Sequence, residues 1–112
     1  MVVELLTFMV PSDLVERWLR ADAEVWTSFL EKQPGFVRKE VWQSDRELSR
    51  LAGDTNPIEA CEGHQMYQAV IWWESLESWK AIDSQQVDSI DAGMGDLAIV
   101  PTMSSRRLVD LV

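Results

Sequence analysis

The run Glu59-Ala60-Cys61-Glu62-Gly63-His64-Gln65 holds the only cysteine and the only histidine of the chain, three residues apart. Two chemistries use that pair. As metal ligands they need one or two further donors, which Glu59, Glu62 or Asp54 would have to supply. As a nucleophile with its base they need a third group to orient the imidazole, and the sequence identifies none. The simpler reading is a surface loop carrying a solvated imidazole and an incidental thiol, so no metal ion is expected.

A second run, VIWWESLESWKAI at 70–82, concentrates aromatic surface instead, with Trp72, Trp73 and Trp79 close together. Adjacent residues of a strand point to opposite faces, so Trp72 and Trp73 cannot share one aromatic box. Each indole buries a large area, and filling a small core is the plainest use of them. Arg106 and Arg107 also fall on opposite faces of a strand, where pairing with the acid excess asks least of them. Neither a glycine-rich phosphate loop nor a Ser/His/Asp signature is present.

Strands and helices must bring such residues together. Residues 2–10, VVELLTFMV, are apolar on both alternations, interrupted only by Glu4 and Thr7, as in a strand covered on both faces. Pro11-Ser12-Asp13 breaks that strand, and Asp13 with Glu16 has the spacing of a capping box. Leu14, Trp18, Ala21, Val25 and Phe29 then recur at helical steps, with Val15 and Trp26 beside the stripe. Arg17, Arg20, Asp22, Glu24 and Glu31 take the polar side, which predicts an amphipathic helix of about 20 residues. Gln33-Pro34-Gly35 stops it.

FVRKEVWQ at 36–43 alternates as a second strand, with Phe36, Arg38, Glu40 and Trp42 on one side and Val37, Lys39, Val41 and Gln43 on the other. Residues 44–64 form a long polar excursion with one helical turn at DRELSRLA, and a connection of that length is often functional. QMYQAVIWW at 65–73 is a third strand. Ser75 can cap the helix after it, in which Leu76, Trp79, Ile82, Gln86 and Ile90 share a face. AGMGD at 92–96 ends that helix, and SRRLVDLV at 105–112 reads as the last strand.

The order is β-α-β-β-α-β, an α+β ferredoxin-like arrangement in a single domain spanning 1–112. Two helices cover one face of a four-stranded sheet. The first and third strands are apolar on both, so a second copy covering the other face is expected, and the pattern predicts a homodimer. The net charge is −9, which disfavours nucleic acid and anionic membrane as partners. The N-terminus lacks the basic flank of a signal peptide, and the lone cysteine suits a reducing compartment, so a cytoplasmic location is expected.

KQPGFVRKEVW after a long first helix, with WESLESW closing the third strand, resembles the antibiotic biosynthesis monooxygenase-type family of the dimeric α+β barrel superfamily. The Pro34-Gly35-Phe36 turn and Trp73-Glu74-Ser75 through Trp79 carry the match, which covers most of the chain except 44–64. More narrowly the chain resembles small cyanobacterial members of that superfamily. The resemblance implies two sheets packed face to face and a cleft between sheet and helices. By that analogy Trp73 lines the cleft with Tyr67, Ala69 and Ile71, and Trp18, Trp26 and Trp79 turn inward from the helices.

The haem-degrading branch has a histidine ligand about ten residues after the tryptophan and an asparagine on the first strand. Here position 83 is Asp83 and residues 2–10 contain no asparagine. Haem degradation is therefore disfavoured, and no cofactor is expected. Cofactor-independent oxygenation asks for a base, a donor to the resulting oxyanion and apolar walls. His64 and Asp83 are the conceivable bases, while Trp73, Tyr67, Ile71 and Trp26 would bind the ligand. The simpler reading makes Asp83 a solvated helix residue and His64 a loop residue, and a raised carboxylate pKa in an apolar cleft would change that view. The competing expectation is a non-catalytic dimer that binds its partner through 44–64.

Overall fold

Mostly β-branched and apolar residues, interrupted by Glu4 and Thr7, make β1, Val2–Pro11, one of the two inner strands of a four-stranded sheet. The computed structural model describes residues 1–57 and 59–109. The other strands are β2 (Phe36–Gln43), β3 (His64–Trp73) and β4 (Thr102–Arg107). All pairings are antiparallel, in the order β2-β3-β1-β4. With helices after β1 and β3, this is the ferredoxin-like α+β arrangement that the sequence predicts.

The last strand lies earlier than expected. Val2 pairs with Arg107 and Thr7 with Thr102, so the ladder reaches the first residue of β1 where the predicted strand was to continue. Leu108 still donates its N–H to the Met1 carbonyl, at 3.0 Å. Beyond it Val109 is exposed, and residues 110–112 of the predicted strand lie outside the described residues.

The first helix also departs from its expected form. A 3₁₀ turn at Ser12–Leu14 opens it without a side-chain cap, so the Asp13–Glu16 box does not form. It continues as α1 (Val15–Ala21), widens into a π turn at Asp22–Thr27, and finishes as α2 (Ser28–Glu31). Asp22, expected on the polar side, is buried. In the 44–64 excursion a short α3 (Arg46–Leu51) forms, capped by Asp45 Oδ1, which accepts the Leu48 N–H at 3.0 Å.

The second helical segment is two helices, α4 (Leu76–Lys80) and α5 (Ser84–Met94). Asp83 restarts the helix, so the face expected to run from Leu76 to Ile90 changes phase at the break. At the start of α4, Ser75 Oγ accepts the Ser78 N–H at 3.1 Å. The Gly35 turn packs directly on Ser78, and its backbone sits at φ +82°. A side chain there would meet Ser78 as well as a left-handed backbone. Gly35→Ala is expected to cost about 2 kcal/mol or more, read from urea unfolding midpoints.

β2 contains the decisive irregularity. Phe36 pairs with Trp73 and Arg38 with Trp72, so Val37 is an extra residue that reverses the alternation after Phe36. Phe36 therefore shares the helix-facing side with Lys39, Val41 and Gln43. Arg38, Glu40 and Trp42 go to the opposite face instead, which corrects the alternation expected from sequence. On that face Arg38 stacks 4.6 Å above the Trp72 ring, beside Val3, Leu5 and Val70.

Two buried clusters fill the helix-facing side. One gathers Val10, Trp18, Tyr67, Met94 and Leu97, the other Val2, Leu30, Ile71 and Trp73.

Candidate functional site

Between the two clusters lies a cavity of about 480 Å³, within the usual range of small-molecule pockets. Its floor is the helix-facing side of the sheet. There Lys39 of β2 and Glu4 of β1 both pair with Ile71 of β3, on opposite sides of it. One row of the sheet thus carries an ammonium and a carboxylate two strand spacings apart, roughly 10 Å between backbones. In the next row Ala69 pairs with Val41 and Leu6, and its small side chain leaves depth above the floor. Trp18 and Trp26 of the first helix and Trp79 of α4 form aromatic walls.

Glu4 is 8% exposed. Its Oε1 accepts the Trp73 Nε1–H at 3.3 Å. Trp73 comes from the adjacent row of β3 and is fully buried, packed edge-on against Phe36 at a centroid distance of 5.9 Å. Among the described residues no donor reaches Glu4 Oε2, and Glu4 borders the cavity. Burial pushes the Glu4 carboxyl pKa above its ordinary value; the Trp73 hydrogen bond and the Lys39 charge oppose that rise without cancelling it. Glu4 is thus held toward a neutral acid but can still ionise, which is what a proton acceptor in an apolar site requires.

Lys39 is held from the opposite side. Its Nζ donates to Asp22 Oδ2 at 2.7 Å and to Thr27 Oγ1 at 3.0 Å. The Lys39 and Asp22 side chains are 4% and 8% exposed, a buried and compensated ion pair. An ammonium has three donors, so among the described residues one N–H of Lys39 has no acceptor, and Lys39 borders the cavity.

The residues singled out from sequence fall in different places. Ile71 and Trp26 border the cavity. Tyr67 lies in the neighbouring cluster, where its hydroxyl donates to Gln43 Oε1 at 3.1 Å. Trp73 stands behind Glu4 rather than in the cavity wall. His64 is exposed at the start of β3 with Nδ1 at 3.0 Å from the Glu62 carbonyl, and Cys61 is exposed nearby. Among the described residues no three His, Cys, Asp or Glu side chains gather as a metal site would need.

Asp83 is the N-cap of α5: its Oδ1 accepts the Gln85 N–H at 2.8 Å. Neither His64 nor Asp83 borders the cavity. Asp83→Ala is expected to lower stability by about 1 kcal/mol, as cap removal does, and to leave ligand affinity unchanged in a titration.

Glu4, Lys39 and Asp22 were not singled out from sequence. Glu4 had a signal, since a carboxylate in a strand apolar on both faces must be buried or unpaired. Lys39 had none, because Val37 inverts the alternation that would have placed it.

By sequence, no family model and no curated protein matches the chain. By structure, it superposes on a Caulobacter crescentus protein provisionally named an antibiotic biosynthesis monooxygenase, with TM-score 0.67, 14% identity, and 97% of this chain and 90% of that one covered. A monooxygenase of Streptomyces coelicolor, ActVA-Orf6, solved with nanaomycin D, gives TM-score 0.67 at 11% identity, covering 99% and 89% of the two chains. A variant of SnoaB, a cofactor-independent oxygenase of Streptomyces nogalater, gives 0.52 at 16%, covering 99% and 95%. On this likeness and on its own strand order, the chain has the ferredoxin-like α+β fold of the antibiotic biosynthesis monooxygenase-type proteins.

Proposed function

We propose that the cavity over the Lys39–Ile71–Glu4 row binds a flat phenolic or quinone-like molecule and oxidises it with molecular oxygen, without a cofactor. The observation that carries this reading is Glu4, a buried carboxylate of raised pKa that borders an apolar, aromatic-walled space and whose Oε2 has no donor among the described residues. Glu4 Oε2 takes a proton from the acidic C–H or O–H of the substrate, and the free N–H of Lys39 donates to the oxyanion that forms. The substrate anion then reduces oxygen itself. Overall a CH2 group and O2 become a carbonyl and water, the substrate supplying all four electrons. Glu4 takes the role for which His64 and Asp83 were the sequence candidates.

In this reading a second copy covers the outer face of the sheet, where Val3, Leu5, Val70 and Trp72 lie, as in a dimeric barrel. Native mass spectrometry tests that copy number. Leu48 and Leu51, exposed on α3, favour a second reading, in which the 44–64 excursion docks a partner and the cleft binds without turnover.

Oxygen uptake with a panel of hydroxyanthrones under ¹⁸O2 separates the two. The oxygenase reading expects one labelled oxygen in the quinone product and saturable, protein-dependent uptake. Uptake at the protein-free rate with binding retained supports the binding module. Absence of binding removes the cleft reading altogether.

A further inference from the structure

We infer that Lys39 is the positioning residue of the cleft: by holding Asp22 and Thr27 on one ammonium it locks the π turn of the first helix and so aims Trp26 into the cavity. This rests on the cleft being the ligand site proposed above, but not on its being catalytic. A regular helix turns about 100° per residue, so the twelve steps from Trp18 to Leu30 would leave the two roughly 120° apart. The extra residue of a π turn removes about 100° of that drift. Trp18, Asp22, Trp26 and Leu30 consequently all border the cavity.

A π turn is less favourable than the α-helix it replaces and needs something to hold it. Within Asp22–Thr27 the other side-chain bond is weak, Ser28 Oγ to the Ala23 carbonyl at 3.4 Å. Lys39 reaches the first residue of the π turn, Asp22, and the last, Thr27. It does so because the bulge at Val37 turns it to the helix side. The extra residue in the helix and the extra residue in the strand therefore meet at one ammonium. Were the turn to relax to α, Trp26 would rotate by about 100° relative to the residues before it.

Thr27→Val, nearly isosteric, removes one of the two bonds. Binding of alizarin, a dihydroxyanthraquinone, is measured by tryptophan quenching beside the thermal midpoint. The expected result is about tenfold weaker binding with a midpoint only a few degrees lower. Lys39→Met should lose both stability and binding. The double variant Asp22→Leu/Lys39→Met replaces the buried pair with apolar groups, so it should recover the midpoint but not the binding.

Thr27→Val binding within twofold of wild type overturns the inference, as does recovery of binding together with the midpoint in the double variant. If wild type does not bind alizarin, the function proposed above falls by itself. Lys39 is then judged on amide exchange at 22–27 and the Trp26 indole resonance in Thr27→Val. Faster exchange with a shifted resonance supports the latch, and unchanged values overturn it.

Discussion

Glu4→Gln is expected to slow oxygen uptake by about 10²- to 10⁴-fold, the usual range for loss of a general base, while raising the thermal midpoint at neutral pH. The amide keeps the size of the side chain and an oxygen for the Trp73 N–H, so the cavity and its floor are preserved. What disappears is ionisation. Burial raises the folded pKa of Glu4 above the ordinary 4.5, so the folded state holds this proton more tightly than the unfolded chain does. The resulting stabilisation is complete below about pH 4.5 and is lost as pH climbs through the raised folded value. Glutamine has no proton to lose. The midpoint difference between variant and wild type should be near its minimum in acid, widen above pH 4.5, and level off once folded Glu4 has ionised.

The same titration runs the other way for turnover. A base must be ionised to accept a proton, so kcat/KM for wild type should rise with pH through the folded value of Glu4. Activity then increases over the window in which stability declines, a trade expected when a carboxylate is buried for chemistry rather than for folding. Scanning calorimetry and oxygen uptake on the same buffers check both halves. Full activity in Glu4→Gln would remove Glu4 from the reaction, whatever the stability data say.

Strand order was legible because alternation and caps are local. β1 declares itself by apolar residues on both faces, and Pro34-Gly35 stops the first helix where β2 must begin. The floor of the cavity was legible only in part. Tyr67, Ala69, Ile71 and Trp73 follow strict alternation along β3, so one assignment of face orders all four. Lys39 lies beyond an inserted residue, Val37 in the strand, whereas Asp22 opens the π turn and stands one regular turn after Trp18. A period of two applied without interruption puts Lys39 opposite Phe36, and Asp22, on the edge of the apolar stripe by a period of 3.6, reads as solvent-facing only because it is charged. They pair with each other, and a pair seventeen residues apart leaves no periodic trace. Asp83 changes place for a different reason: a helix restart two residues after Ala81 turns a carboxylate expected in mid-helix into a cap.

Trp73 separates packing from chemistry most sharply. Trp73→Ala is expected to cost about 3–5 kcal/mol, since a fully buried indole is lost from the cluster of Val2, Leu30 and Ile71 and its edge contact with Phe36 goes with it. That result alone would say only that Trp73 is core. Trp73→Phe tests more. It retains most of the apolar volume and an aromatic edge for Phe36, but it withdraws the N–H from Glu4 Oε1. That bond favours the ionised carboxylate, against the burial that opposes it. Without it the Glu4 pKa moves further up, because Lys39 acts on the carboxylate only through its charge. The pH midpoint of kcat/KM should move to higher pH in Trp73→Phe, with activity approaching wild type on the alkaline side. The stability of this variant should also persist to higher pH before declining, since its Glu4 holds the proton longer. A kinetic midpoint that stays in place while the fold remains intact would mean that the group titrating in turnover is not Glu4. A midpoint that moves, with the stability curve moving alongside it, would tie the buried indole, the carboxylate and the reaction to one proton.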